Sequence, residues 1–363
     1  MSALRVAVLH QREGGGSTTA VLELTSGLRA RGHTVEDLTP AAGEGLPHVL
    51  RALGEFAPDV VHAHCIYNAL PYEALSEIAA SHPLAWTLHD VLPVNQFGVE
   101  CWECFRNAKC LGCPALPWWK RWRPNHRTLA RAARRRVHEQ LRATLVLPSH
   151  WMEGRIARTE LAALPHEVIP YGIALGPWAE LAAKPQQPAR VLFAGNMYAA
   201  TDHRKGLPDL LAAWPRVLAL MPAAELRVAG RVAEGLLPAF VSHAGELSRE
   251  ALRDELAAAA VVCVPSRGDN LPLAVIEAMA TRRCVVAART GGIPELVEDG
   301  VSGLLFPVGA AQELAHALVR ALSERAFAEG LGVEAQRRAR VMSSIEVSAA
   351  RHEALYLRLA FGA

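Results

Sequence analysis

The 363-residue chain lacks several features that would fix its function class at once. No apolar run approaches the roughly 18 residues needed to cross a bilayer. The first apolar stretch, Leu4 to Leu9, is soon interrupted by Arg12 and Glu13. It is too short for a secretory signal, so a cytoplasmic protein is expected. Charge of one sign is also missing, because 38 Lys and Arg against 36 Asp and Glu leave a net of only +2. That balance names no nucleic-acid or acidic partner. Gly14-Gly15-Gly16 lacks the spacing of a dinucleotide fingerprint, and no Lys follows it as a phosphate-binding loop requires, which argues against an NAD site or an ATPase. No Asp-x-Asp pair is arranged to hold a metal. Apolar residues are plentiful at 51%, enough over this length for two domains with a core each.

Strand-like and helix-like stretches alternate along the chain. Arg5 to His10 reads as a strand, the glycine run as a turn, and Thr18 to Arg31 as an amphipathic helix stopped by Gly32; Val60 to His64 and Leu84 to Leu88 are further short apolar strands. Such alternation predicts an α/β fold with parallel sheets flanked by helices. Pro170 to Pro188, rich in Pro, Gly and Gln, reads as a linker. A second series begins at Val191 to Gly195 and continues with Leu226 to Gly230 and Val261 to Val264. The expected division is therefore 1–172 as a first domain, 173–188 as linker and 189–344 as a second domain.

Val264 to Pro307 holds the densest pattern of candidate site residues. The strand Val261 to Val264 ends at Pro265-Ser266, a polar loop runs from Arg267 to Asn270, and an apolar helix is predicted over Leu273 to Ala280. Asp269 thus sits in the loop, with Glu277 eight residues on and about a turn into the helix. The strand Cys284 to Ala288 follows and ends at Gly291-Gly292, with Pro294 where the first helical position favours it. Strand, glycine loop and helix start are the parts of anion sites, because free backbone N–H groups and the positive end of the helix dipole face the ligand. In such a site Glu277 accepts hydrogen bonds from vicinal ribose hydroxyls, and Asp269 from hydroxyls of an attached sugar. The same spacing also fits Glu277 as a surface helix residue and Asp269 as a helix cap.

These residues resemble the retaining glycosyltransferases of family 4. Their signature, two acidic residues separated by seven, then Gly-Gly-x-x-Glu and an Asn- or Asp-Gly turn, stands here as Asp269, Glu277, Gly291-Gly292-Ile293-Pro294-Glu295 and Asp299-Gly300. Asp269 replaces the first Glu, within Asp269-Asn270-Leu271-Pro272, a sub-group marker. The resemblance implies the GT-B fold: two Rossmann-like domains facing each other across a cleft, with a final helix over 345–363 returning to the first. It also implies a nucleoside-diphosphate sugar donor and no metal at the reaction centre. Donor contacts would come from Asn270, Leu271 and Glu277, and sugar contacts from Asp269 and His89.

Further assignments follow from the same resemblance. Phe193-Ala194-Gly195-Asn196-Met197 ends a strand, and Asp202-His203-Arg204-Lys205-Gly206 precedes a helix expected over Leu207 to Trp214. Similar enzymes bind the pyrophosphate with an Arg just after the strand glycine and the Lys of Lys-Gly; Lys205 matches the second, Asn196 occupies the place of the first, and Arg204 would supply the missing charge. Gly15 and Gly16 match a loop through which backbone N–H groups approach the diphosphate or the acceptor, and a tight strand-to-helix turn explains them equally. His89 falls at a strand end, with His64 and Asp90 as weaker candidates. A structural hydrogen-bonding role is the alternative for each histidine.

Two features lie outside the signature. Cys101-x-x-Cys104 and Cys110-x-x-Cys113, four of the seven cysteines, fit a closed four-thiolate structural zinc site, with disulfides or free thiols as alternatives. Trp118-Trp119-Lys120-Arg121-Trp122-Arg123 then leads into a helical stretch with Arg127, Arg131, Arg134, Arg135 and Arg136. Such a segment suits peripheral contact with an anionic bilayer at the inner face of the membrane, and equally a solvated helix face; nucleic-acid binding is not expected. The whole implies sugar transfer to a hydroxyl of a glycan or lipid-linked acceptor. Rival readings are a nucleotide-sugar epimerase of the same architecture and a non-catalytic zinc-stabilised binding protein.

Overall fold

Among the described residues, twelve short strands, most of them runs of buried apolar residues, set the architecture. The computed structural model describes residues 3–10, 15–41, 44–66, 69–91, 93–94, 135–183, 189–197 and 203–362. The four-cysteine cluster and the Trp/Arg segment up to Arg134 lie outside the described residues. The chain divides into one unit of Met1–Gly172 with Ile345–Ala363, and a second of Ile173–Ser344.

In the first unit the strands are β1 (Arg5–Leu9), β2 (Thr34–Asp37), β3 (Val60–Ala63), β4 (Leu84–Thr87), β5 (Thr144–Leu147) and β6 (His166–Val168). They form one parallel sheet in the order β2-β1-β3-β4-β5-β6. Every residue of β3 and β4 is buried, as expected of a parallel sheet covered on both faces. Helix Gly16–Ala30 packs beside helix Ile345–Phe361 on one face, so the last helix belongs to the first unit. Arg31 and His33 hold it through Glu353, His33 Nε2 lying 3.1 Å from Glu353 Oε1.

The second unit repeats the plan with β7 (Arg190–Ala194), β8 (Glu225–Ala229), β9 (Val241–Gly245), β10 (Val261–Val264), β11 (Cys284–Ala288) and β12 (Leu304–Phe306). All pairings are parallel, in the order β12-β11-β10-β7-β8-β9. The chain builds outward from β7 to β9, then crosses to the other side for β10 to β12. The strand order therefore reverses between β7 and β10, and in open α/β sheets the crevice beyond the strand ends at such a point is where ligands bind. Two details differ from the sequence expectation. The helix expected to stop at Trp214 continues through Pro215 to Leu220, because fully buried Trp214 and Val217 pack it against helix Ala311–Ser323, and that burial outweighs the proline's missing N–H. Within the stretch expected as linker, the short helix Gly176–Ala179 buries Trp178 completely, with the guanidinium groups of Arg249 and Arg253 5.4 and 5.0 Å from its ring centroid. Residues 173–183 are accordingly part of the second unit. Among the described residues no helix is long and apolar enough to cross a membrane.

Candidate active site

The loops that follow β7, β10 and β11 meet at the reversal point of the second sheet. Lys205 Nζ donates to Asp269 Oδ2 at 2.6 Å, and Ser266 Oγ donates to the same oxygen at 3.2 Å. Both side chains of the ion pair are partly exposed, 27% for Lys205 and 15% for Asp269, so the pair is held in place yet open to a ligand. Asp269 caps no helix: the residue before helix Leu273–Ala280 is Pro272. Glu277, the fifth residue of that helix, is only 7% exposed, which removes its reading as a surface residue.

Two glycines let these loops come so close. Gly206 has φ +72°, and a Cβ there would fall 1.8 Å from the carbonyl oxygen of Pro265, the residue after β10. Gly291 has φ +57°, and a Cβ would fall 1.5 Å from the carbonyl oxygen of Asp269. Any other residue would push the loop carrying Lys205, or the loop after β11, away from the carboxylate loop. Gly292 N then donates to Asn270 O at 2.7 Å, closing the β11 loop onto the Asp269–Pro272 turn. Asn270 and Leu271 are both buried.

The structure brings Lys205, 64 residues away in sequence, against Asp269 on the loop that also carries Asn270 and Leu271 and leads to Glu277; sequence reasoning did not find the two residues that brace this arrangement. Arg267 donates from Nε and Nη2 to the two carboxylate oxygens of Asp209, at 2.8 and 2.6 Å. These residues are 58 apart, and no short motif joins them. Asn196, in the place of the family's Arg, accepts from Arg231 N at 2.8 Å through Oδ1, which ties the end of β7 to the loop after β8. Arg204 adjoins Lys205, and its carbonyl accepts from Arg267 N at 2.8 Å.

The strand ends of the first unit present a different chemistry. His62 is the third residue of β3, His64 directly follows that strand, and His89 lies two residues beyond β4. His64 Nδ1 lies 2.8 Å from His89 Nε2, and His89 Nδ1 lies 2.7 Å from Tyr171 Oη, so both His89 ring nitrogens are engaged. The His89 ring also stacks on Tyr171 with an interplanar angle of 19°. His62 bridges Tyr356 Oη at 2.6 Å and Thr87 Oγ1 at 2.7 Å. Tyr171, Tyr356 and His352 were not singled out from the sequence, since their partners lie up to 294 residues away. Burial is the main force on these rings: it pushes His89 down to about 3, with His10 and His352 adding to the effect, and His352 down to about 4. His62 and His64 fall well below the ordinary imidazole range for the same reason, so the cluster is neutral at neutral pH. Asp90 accepts a long contact from Cys65 Sγ at 3.7 Å. Gly15, with φ +132°, and Gly16 stand at the start of helix Gly16–Ala30. Among the described residues no group of three or more His, Cys, Asp or Glu side chains is placed to hold a metal ion.

Two all-parallel, doubly wound units, the second with a cation and a carboxylate at its reversal point, make up a GT-B frame. Comparison with known proteins agrees. Residues 188–324 match the family described as "Glycosyl transferases group 1". The chain is 28% identical over 353 residues to the phosphatidyl-myo-inositol mannosyltransferase of Mycolicibacterium smegmatis, covering 89% of this chain and 85% of that protein. It shares its fold with sucrose-phosphate synthase from Thermosynechococcus elongatus, with a TM-score of 0.73, 20% identity, and coverage of 99% of this chain and 100% of that one. Anabaena HepE, solved in complex with UDP and glucose, has a TM-score of 0.66 at 17% identity, with 97% and 99% coverage. The chain is a glycosyltransferase enzyme, and its likeness to the group 1 family lies in residues 188–324.

Proposed function

We propose that the chain is a retaining glycosyltransferase that moves a sugar from a nucleoside-diphosphate donor to a hydroxyl of a lipid-linked or glycan acceptor. The observation that carries this reading is the Lys205–Asp269 pair, with Glu277 on the following helix, at the β7/β10 reversal point. Lys205, joined by Arg204, would neutralise the diphosphate as negative charge builds on it during bond breaking. Asp269 and Glu277, carboxylates eight residues apart, suit sugar and ribose hydroxyls respectively. The helix Leu207–Leu220 starts immediately after Gly206 with no side-chain cap, so the positive end of its dipole adds to what an anion meets. In the first unit, Gly15, Gly16 and His89 remain the candidates for touching substrate. A contact from a ring nitrogen of His89 requires it to give up His64 or Tyr171.

A donor of this class is supported by the neighbour solved with UDP and glucose. A lipid-borne acceptor is supported by the relative named for phosphatidyl-myo-inositol and mannosyl transfer. Peripheral contact with an anionic membrane through the Trp118–Arg136 segment accords with such an acceptor, and a structural zinc at Cys101, Cys104, Cys110 and Cys113 accords with thiolate spacing. The test is a calorimetric titration with UDP, GDP, ADP and dTDP, using Glu277→Ala as the control. The reading predicts that one nucleotide binds in preference to the others and that the variant loses it. Absence of binding by all four at millimolar concentration would remove the main support.

A further inference from the structure

The loops that carry the proposed donor residues are joined at one residue to which no substrate contact has been assigned. Arg267 lies three residues beyond β10, on the loop that leads to Asp269. Its backbone N–H donates to the carbonyl of Arg204, on the loop before Lys205, at 2.8 Å. Its backbone carbonyl accepts from Thr290 Oγ1, on the loop after β11, at 3.3 Å. Its guanidinium grips both oxygens of Asp209, three residues into the helix that follows Gly206. The side chain of Asp209 is 9% exposed, so the fork is shielded from water on the Asp side.

A planar, two-bond fork onto a mostly buried carboxylate fixes direction as well as distance, which a lysine's single ammonium does not. From the geometry we infer that Arg267 is a positioning residue for donor binding. Together with Asp209 it sets the helix start after Lys205 against the loop bearing Asp269, and so fixes the place of the Lys205 ammonium. Besides the fork, the loops before Gly206 and after β10 are tied by the backbone bond to Arg204 and by the Lys205–Asp269 pair. That last tie is the one a diphosphate must compete with. Correct placement of a charged group against a transferring diphosphate is the part of binding most sensitive to small displacement. This inference rests on the donor-site reading above.

The consequence separates positioning from general packing. Losing the fork should weaken binding of the diphosphate more than of the matching monophosphate, because Lys205 is placed for the diphosphate. A merely structural role would lower the melting temperature and both affinities alike. The experiment compares Arg267→Lys, Asp209→Asn and the double variant with the wild type. It measures affinity for the preferred nucleoside diphosphate and for its monophosphate, together with the melting temperature, and runs Lys205→Ala alongside. The expected result is a roughly tenfold fall in the diphosphate-to-monophosphate affinity ratio in each single variant, with no further fall in the double variant because both break one interaction. An unchanged ratio in the single variants, with Lys205→Ala still losing the diphosphate, overturns the positioning role and leaves the donor site standing. Equal loss of both nucleotides, or additive losses in the double variant, also overturns it. If Lys205→Ala binds the diphosphate as well as the wild type does, the donor reading itself fails and this inference falls with it.

Discussion

The two units reuse one architecture and treat the ends of their strands in opposite ways. In the first, polar side chains at the ends of β3 and β4 turn to one another: His64 to His89, His89 to Tyr171, His62 to Thr87 and Tyr356. All are buried or nearly so, and burial keeps the imidazoles neutral. In the second, the strand-end loops after β7 and β10 carry full charges, Lys205 and Asp269 paired in partly exposed positions and Arg267 paired with buried Asp209 of the helix after Gly206. Such charges are retained because each is hydrogen-bonded to an opposite charge. The contrast is between neutral groups bonded to one another and charged groups on facing loops. What distinguishes the second unit is charge that remains available to a ligand, on loops that glycines bring within contact.

The severest way to break the contrast is to remove a glycine that makes the charged loops meet. Gly291→Ala should abolish nucleotide binding and destabilise the second unit by on the order of 3 kcal/mol, since the added Cβ meets the Asp269 carbonyl oxygen and the backbone is left-handed there. Calorimetry and thermal unfolding check both parts. Next is the charge itself. Lys205→Ala should weaken nucleoside-diphosphate binding by roughly 30-fold, the scale of a charge-assisted hydrogen bond, whereas His64→Ala should leave the same affinity unchanged. A reversed pattern in the two titrations would erase the distinction between the units.

The neutral cluster makes a complementary prediction about acid. A buried imidazole whose folded pKa is about 3 (His89) or about 4 (His352) takes up its proton later than the unfolded chain does at its ordinary 6.5. Between those values the unfolded state binds more protons, so stability rises with pH. The stability associated with these rings is therefore full above about pH 6.5 and is lost as pH falls toward 4. The first unit should melt on the order of 10 °C lower at pH 5 than at pH 7, and His352→Leu should flatten that dependence. The smallest effect sharpens the donor assignment: Arg204→Ala should weaken diphosphate binding slightly less than Lys205→Ala, and an unchanged affinity in the same titration would remove Arg204 from the site.

Much of the second unit was legible because its signals are local. The strands Val261–Val264 and Cys284–Ala288 and the helix Leu273–Ala280 fall where apolar runs and turn residues placed them. The same holds for the last helix, Ile345–Phe361. The helix after Gly206 was misjudged at Pro215 because local propensity cannot register that Trp214 is buried on a neighbouring helix. Site contacts that depend on distant pairs were invisible for a similar reason. Nothing in the spacing of Arg267 and Asp209, or of His62 and Tyr356, shows that folding brings them within hydrogen-bonding distance. Charged residues on glycine-rich loops can be recognised from their neighbours in sequence, whereas a network of neutral imidazoles is made by the fold.

The most direct test of the donor site is amide hydrogen exchange of the whole protein with and without the nucleoside diphosphate that binds. The account predicts slowed exchange over 203–210, 266–280 and 290–292, the loops and helix starts around Lys205, Asp269 and Glu277. Protection confined to the first unit, with those segments unchanged, would contradict it.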